Sequence, residues 1–189
     1  INGKEGFMYD NYRFIENDRS CKPGNGLDSI GTCEIVPSKG GSVIVKTTRG
    51  GKLASQVITY TFLPNGTVDM DVTLTPQAKE LRRAGLVASI VPGLRNVNYW
   101  AYGPDENYND RKESCMVGRY QTTVDDMVVY YQKPQSMGGR EGLRELVMTN
   151  AKGQGFRIET QGEVSFSALP YTDMQLAKAN HMYELRKDH

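Results

Sequence analysis

Histidine occurs only twice in these 189 residues, at His181 and at the final position, His189, and cysteine only three times. Metal sites draw on clusters of those two residue types. Here Cys21 and Cys33 are 12 positions apart and Cys115 is remote, so neither a metal nor a cofactor is expected in this chain. An odd cysteine count also excludes a fully paired disulfide framework. The thiols read as isolated, with a Cys21–Cys33 bridge across the Gly-rich lead-in as the alternative. Charge of one sign is lacking as well: 23 Lys+Arg against 22 Asp+Glu leaves +1. That excludes a nucleic-acid binder working through bulk charge. No apolar run approaches the ~18 residues of a membrane span, so no membrane partner is expected. The first residues, from Ile1 to Glu5, carry no signal-peptide pattern, which leaves the compartment, cytoplasmic or periplasmic, open. No serine stands in a nucleophile elbow. The glycine pairs at Gly24-Asn25-Gly26 and Gly153-Gln154-Gly155 lack the rest of a phosphate loop and read as turns.

What is present is an ordinary globular composition, with 38% hydrophobic and 24% charged residues. A chain of this size buries about 70% of its unfolded surface and needs no staple to fold. Its rhythm is that of sheet. In Thr67–Leu74 the apolar Val68, Met70, Val72 and Leu74 alternate with polar neighbours, the period of a half-buried strand. The β-branched run Gln56–Phe62 precedes it across Pro64-Asn65-Gly66, so the two read as a hairpin. Similar runs lie at Val43–Arg49, Leu86–Val91, Val97–Tyr102, Met127–Gln132, Leu143–Thr149, Phe156–Thr160 and Val164–Ala168, with a hairpin loop at Lys152–Gly155. Roughly nine strands with turns between them predict one all-β domain over residues 1–189, a large antiparallel sandwich or barrel. The first thirty residues read as an irregular lead-in. One helix is expected, opened by a capping box at Thr172-Asp173-Met174-Gln175.

Paired carboxylates are the residue type that glycoside hydrolysis needs. Asp69 and Asp71 share a strand face, about 6.6 Å apart, but on the polar side of an amphipathic strand. Asp125 and Asp126 point opposite ways if extended. His181 and Glu184 read as a surface pair. Asn65-Gly66-Thr67 matches a glycosylation sequon, which the hairpin turn already explains. The densest polar cluster is Gly103-Pro104-Asp105-Glu106-Asn107-Tyr108-Asn109-Asp110-Arg111, delivered by the aromatic strand Tyr99-Trp100-Ala101-Tyr102. Such a loop either satisfies itself, with Glu106 and Asp110 accepting from amides and Arg111, or faces a ligand; the first reading is preferred.

That cluster closely resembles the G-P-x-E-N-Y-x-D-R signature of the small-chain domain of large β-galactosidases of glycoside hydrolase family two. Val97 and Tyr99 stand in the strand before it. Upstream, Arg83-Ala84-Gly85-Leu86 and Val91-Pro92-Gly93-Leu94 follow the family order. Downstream so do Gly118-Arg119-Tyr120, Tyr130 with Pro134-Gln135, Arg144-Glu145, and Phe166-Ser167 with Pro170-Tyr171. Leu176, Ala179, His181 and Glu184-Leu185 complete the match, while Arg13–Arg19 is similar to the entry segment with slightly different spacing.

The resemblance implies a very large antiparallel β-sandwich, related in shape to galactose mutarotases. It also implies that the two catalytic glutamates lie on a barrel outside this chain, so no catalytic residue is carried over. The implied function is that of a non-catalytic domain in an enzyme hydrolysing terminal β-D-galactosides. It would pack on the barrel, help wall the galactoside pocket and support homo-oligomer contacts, with the rest of the polypeptide as its partner. Gly103, Pro104, Glu106, Asn107, Tyr108, Asp110 and Arg111 are then structural, with contact to a neighbouring domain as the alternative. The family places a substrate-stacking aromatic, commonly Trp, a short stretch after the His181 helix. This sequence ends at His189 and its single Trp is Trp100, so it is expected to be truncated, with self-association or a loose end from about Lys178 onward. Two rival readings are a free-standing carbohydrate-binding module and a mutarotase-like epimerase using His181 with Glu106.

Overall fold

The computed structural model describes residues 7–15, 29–38 and 40–186. Ten strands run through these residues: β1 Met8–Asp10, β2 Ser29–Val36, β3 Val43–Gly50, β4 Ala54–Phe62, β5 Val68–Pro76, β6 Gly85–Val87, β7 Asn96–Gly103, β8 Met116–Thr123, β9 Arg140–Thr149 and β10 Gly155–Phe166. One short helix, α1 Asp173–Lys178, and a 3-10 turn at Met182–Glu184 follow. Every strand pairing is antiparallel. The described strands form open sheets and no barrel, and the chain is an all-β protein of the sandwich class, as expected. No helix of the described residues is long and apolar enough to cross a membrane.

The contacts divide the described residues into two compact units. The first holds residues 7–13, 29–38 and 40–88. Its sheet is the meander β2-β3-β4-β5, beside a two-stranded ribbon of β1 and β6. The hairpin between β4 and β5 closes as read: Gly66 has φ +86, the amide of Thr67 donates to Asn65 Oδ1 at 2.9 Å, and Asp69 and Asp71 stay exposed. Alternation sinks Ala54, Gln56 and Ile58 of β4, with Tyr9 packed on Ala54.

The second unit, residues 89–186 with Phe14 and Ile15, carries the sheet β10-β9-β7-β8. Here Val97, Tyr99 and Ala101 of β7 turn inward beside Leu143, Leu146 and Met148 of β9. Each Val, Leu or Met side chain so removed from water is worth about 1.5–3 kcal/mol, so this face anchors everything β7 leads into. The β9–β10 loop turns at Gly153, with Asn150 Oδ1 accepting from the amides of Lys152 and Gln154 at 2.8 and 3.0 Å. The capping box is present as read: Thr172 Oγ1 accepts from the Gln175 amide at 3.2 Å, while Gln175 Oε1 accepts from the Thr172 amide at 2.7 Å. Leu176 of α1 is fully buried against Val128 and Met137.

Several expectations need correction. Met127–Gln132 is not a strand. Met127 and Val128 are both buried, and their amides donate to Thr123 O and Asp125 O. The run is apolar because it turns over the core, a case that periodicity cannot separate from a strand. Phe156–Thr160 and Val164–Ala168 are not two strands: the first and the Val164–Phe166 part of the second belong to β10, joined through a register shift where Gly162 adopts φ +88. The lead-in contains β1 and the start of β2. Leu86–Val91 shrinks to Gly85–Val87. β8 was not foreseen, because Met116 and Val117 are both exposed and no alternation marks it. Beyond Lys178, Met182 and Leu185 pack against the Val128–Leu176 cluster. Cys21, the Gly24–Gly26 turn, most of the Arg13–Arg19 segment and His189 lie outside the described residues. Cys33 is exposed and Cys115 buried.

Candidate functional site

β7 ends at Gly103, and the chain passes through a cis Gly103-Pro104 bond into the polar loop. A Cβ on Gly103 would stand 2.8 Å from Tyr99 Oη and 2.9 Å from the Tyr120 ring, so only glycine lets the strand pass between those tyrosines. Tyr99 Oη donates to Pro104 O at 3.1 Å. Asn107 then pins the loop. It is fully buried, its Nδ2 donates to Tyr102 O and Asp105 O at 3.1 and 2.8 Å, and its Oδ1 accepts from the Glu141 amide at 2.8 Å. Its own amide donates to Gly139 O at 2.9 Å. The loop closes by a tight turn in which the amides of Tyr108 and Arg111 donate to each other's carbonyls at 3.2 and 2.8 Å.

At the centre lies the Glu106 carboxylate, whose side chain is only 7% exposed. Oε1 accepts from the Tyr108 hydroxyl and from the Gly138 amide, each at 2.7 Å. Oε2 accepts from Arg111 Nη2 at 2.8 Å and from the Tyr131 hydroxyl. A buried carboxylate is tolerated only when its charge is matched by such donors. Burial, and then the bond to Glu106, push the hydroxyl pKa of Tyr108 well up. The same two causes, in the same order, raise that of Tyr131. The Tyr131 bond holds Arg111 still more firmly charged. With four donors on two oxygens, Glu106 has no lone pair directed at a ligand, and it is poorly placed to exchange a proton with one.

The structure thus brings together Gly103, Pro104, Glu106, Asn107, Tyr108 and Arg111. Asp110, read as a second acceptor, is exposed and outside the network. Sequence reasoning missed the far side of the cradle: Tyr131, Gly138, Gly139 and Arg140. Gly138 has φ +76, and a Cβ on Gly139 would stand 2.6 Å from Tyr108 Cε1. The buried Arg140 donates through Nε to Tyr99 Oη at 3.1 Å and through Nη1 to Gly139 O at 3.0 Å. The Gly138-Gly139-Arg140 string was the available signal, since adjacent glycines before a strand mark close backbone approach.

Other carboxylates are engaged too. Glu145 and Glu159 face each other across β9 and β10, but Arg157 bridges them and Arg119 holds Glu145 as well. Asp125 pairs with Arg95, and Asp126 accepts from Thr123 Oγ1 at 2.7 Å in a turn rather than a strand. His181 Nδ1 bonds Glu184 Oε1 at 2.9 Å on the surface, as read from the sequence. It shares no hydrogen bond with Glu106, so the pairing needed by an epimerase is not formed among the described residues. None of these residues includes a group of three or more His, Cys, Asp or Glu placed to hold a metal.

Beside this network an open groove of about 560 Å3 is lined by Tyr130, Tyr131, Gln132, Tyr171, His181 and Tyr183, with Met182 in its wall. Tyr131 joins the two places, since its ring lines the groove and its hydroxyl bonds Glu106.

Residues 15–189 match the family model described as beta galactosidase small chain. Relatives named beta-galactosidase include those of Priestia megaterium, 29% identical over 145 residues, and Lactobacillus delbrueckii subsp. bulgaricus, 32% identical over 164 residues. That of Lactococcus lactis subsp. lactis is 32% identical over 145 residues. The alignments cover 76%, 84% and 73% of this chain but only 14%, 16% and 14% of the respective relatives. The chain therefore spans a small part of the length of the curated relatives it matches.

Proposed function

The chain belongs to the β-galactosidase small-chain family, and from that premise we propose that it is the non-catalytic β-sandwich domain of an enzyme hydrolysing terminal β-D-galactosides. In the intact enzyme it packs on the catalytic part, helps wall the galactoside pocket and supports contacts between subunits. Its partners are the remaining domains of the same polypeptide, and the galactoside is a substrate only in their company.

The observation that carries this reading is the share of each relative covered, 14–16% in proteins named for the whole activity. The chemistry of the described residues agrees with it. A retaining glycosidase needs two carboxyl groups about 5–5.5 Å apart, one protonated and one free to attack. Glu106 is held by four donors, and Glu145 and Glu159 are neutralised by arginines. The same saturation supports a structural role for the Gly103–Arg111 loop, which fixes the end of β7 against the Gly138–Arg140 segment.

The test is a turnover assay of the purified 189-residue chain on a chromogenic β-galactoside. No activity that co-purifies with the chain is expected. Turnover that persists through purification and disappears in Glu106→Gln or Glu145→Gln overturns the reading.

A further inference from the structure

We propose that the groove lined by Tyr130, Tyr131, Gln132, Tyr171, His181 and Tyr183 is a pyranoside-binding site that receives a β-galactoside by stacking on its aromatic walls. The choice of sugar rests on the β-galactosidase reading. The site itself rests on shape and chemistry.

The volume of about 560 Å3 falls within the range of small-ligand sites. The walls are aromatic, yet Tyr130 and Tyr183 are 82% and 83% exposed, a costly display of large rings unless something covers them. Tyr183 is held in place: its ring stacks on His181 at 5.1 Å and 11°, and Glu184 fixes that imidazole through Nδ1. Tyr131 is anchored from behind by Glu106. Two of the rings are thus pre-set, which lowers the ordering cost of binding.

The polar groups decide what kind of occupant fits. The side chains of Tyr130, Gln132 and Tyr171 carry no hydrogen bond among the described residues. A purely apolar cover would bury those groups unsatisfied, which proteins avoid. A pyranose offers both kinds of surface. Its ring has an apolar face for an aromatic, and in galactose the axial 4-hydroxyl leaves the C–H groups at C3, C4 and C5 together on one side. Its hydroxyl rim can donate to and accept from amide and phenol groups. The tyrosine side chain has the same division between an apolar body and a polar tip. Glu184 is paired with His181, so the groove presents no unpaired carboxylate and suits a neutral ligand.

The experiment titrates the 189-residue chain, with its tyrosine rings isotopically labelled, with methyl β-D-galactopyranoside and records NMR shifts. Saturable shifts are expected at the ring signals assigned by their loss in Tyr130→Ala and Tyr183→Ala. Loss of a stacking wall in Tyr183→Ala should weaken binding about tenfold, with an unchanged melting curve because that ring is exposed. Galactitol, which has the hydroxyls but no ring face, should not saturate. Three results each overturn the proposal: no saturation with the galactoside, equal binding of galactitol, or affinity unchanged in both alanine variants. None of them touches the domain reading, which stands or falls on turnover.

Discussion

Replacing Glu106 by alanine removes the acceptor for four donors at once, and the donors differ in what they lose. The Gly138 amide belongs to a buried residue and has no second partner among the described residues. The Tyr108 hydroxyl keeps other partners, among them Ser136 O at 3.5 Å. A buried donor left unsatisfied costs about 1–3 kcal/mol. Arg111 is 59% exposed, and its guanidinium can return to water, so its share is at most about 1 kcal/mol. Tyr131, at the groove wall, can also reach solvent. We therefore expect Glu106→Ala to lower stability by about 3 kcal/mol, most of it from the orphaned Gly138 amide and the rest from smaller losses at Arg111, Tyr108 and Tyr131. For a chain of this size that shifts the melting midpoint by roughly 6–12 °C. Urea unfolding followed by circular dichroism should give the same loss without a change in slope. Arg111→Ala should cost less, because the carboxylate keeps three neutral donors and gains access to water. Glu106→Gln should fall between them, retaining Oε1 for Tyr108 and Gly138 while turning an amide donor toward Arg111. A Glu106→Ala protein melting within about 3 °C of the parent, a change typical of surface positions, would mean that the carboxylate does not hold this loop.

Two further outcomes follow from the same geometry. Gly139→Ala should destabilise by more than an exposed glycine substitution such as Gly50→Ala, because its Cβ meets Tyr108 Cε1 at 2.6 Å and Asn107 O at 3.0 Å whereas that of Gly50 meets nothing; equal melting points would refute the close approach. Tyr108 and Tyr131 hold their protons more tightly folded than unfolded, so the stability this confers is complete below about pH 10 and is lost as pH climbs through and beyond the ordinary tyrosine range. Urea midpoints measured from about pH 8 to 11 should fall more steeply for the parent than for Tyr108→Phe, and parallel curves would sink the assignment.

Local chemistry in this chain was legible because it needs few residues and short range. The Asn65-Gly66 turn, the Thr172–Gln175 capping box and the alternating run that forms β5 each follow from neighbours within about four positions. The family could likewise be read from the Gly103–Arg111 string, because that string is chemically dense. That Glu106 accepts from Arg111 and a backbone amide could also be read from the sequence. What failed did so where pairing partners are distant in sequence. β8 shows no apolar alternation and is a strand only because β7 offers it a ladder. Met127–Gln132 has a strand's composition but buries two consecutive residues in a turn.

The sequence alone decided that this is an all-β chain, where its hairpins turn, and which loop carries the polar cluster, since all of these depend on backbone preference and local hydrogen bonding. Only the tertiary structure decided who completes the cluster. Glu106 is separated from Tyr131 by 25 positions and from Gly138 by 32, and Asp110, only four positions away, is left in solvent. Sequence distance cannot rank those candidates. The ranking comes from burial: a carboxylate taken out of water accepts whichever donors the folded core holds within hydrogen-bond reach, and that is fixed by how β7 and β9 pair, not by the order of residues in the loop.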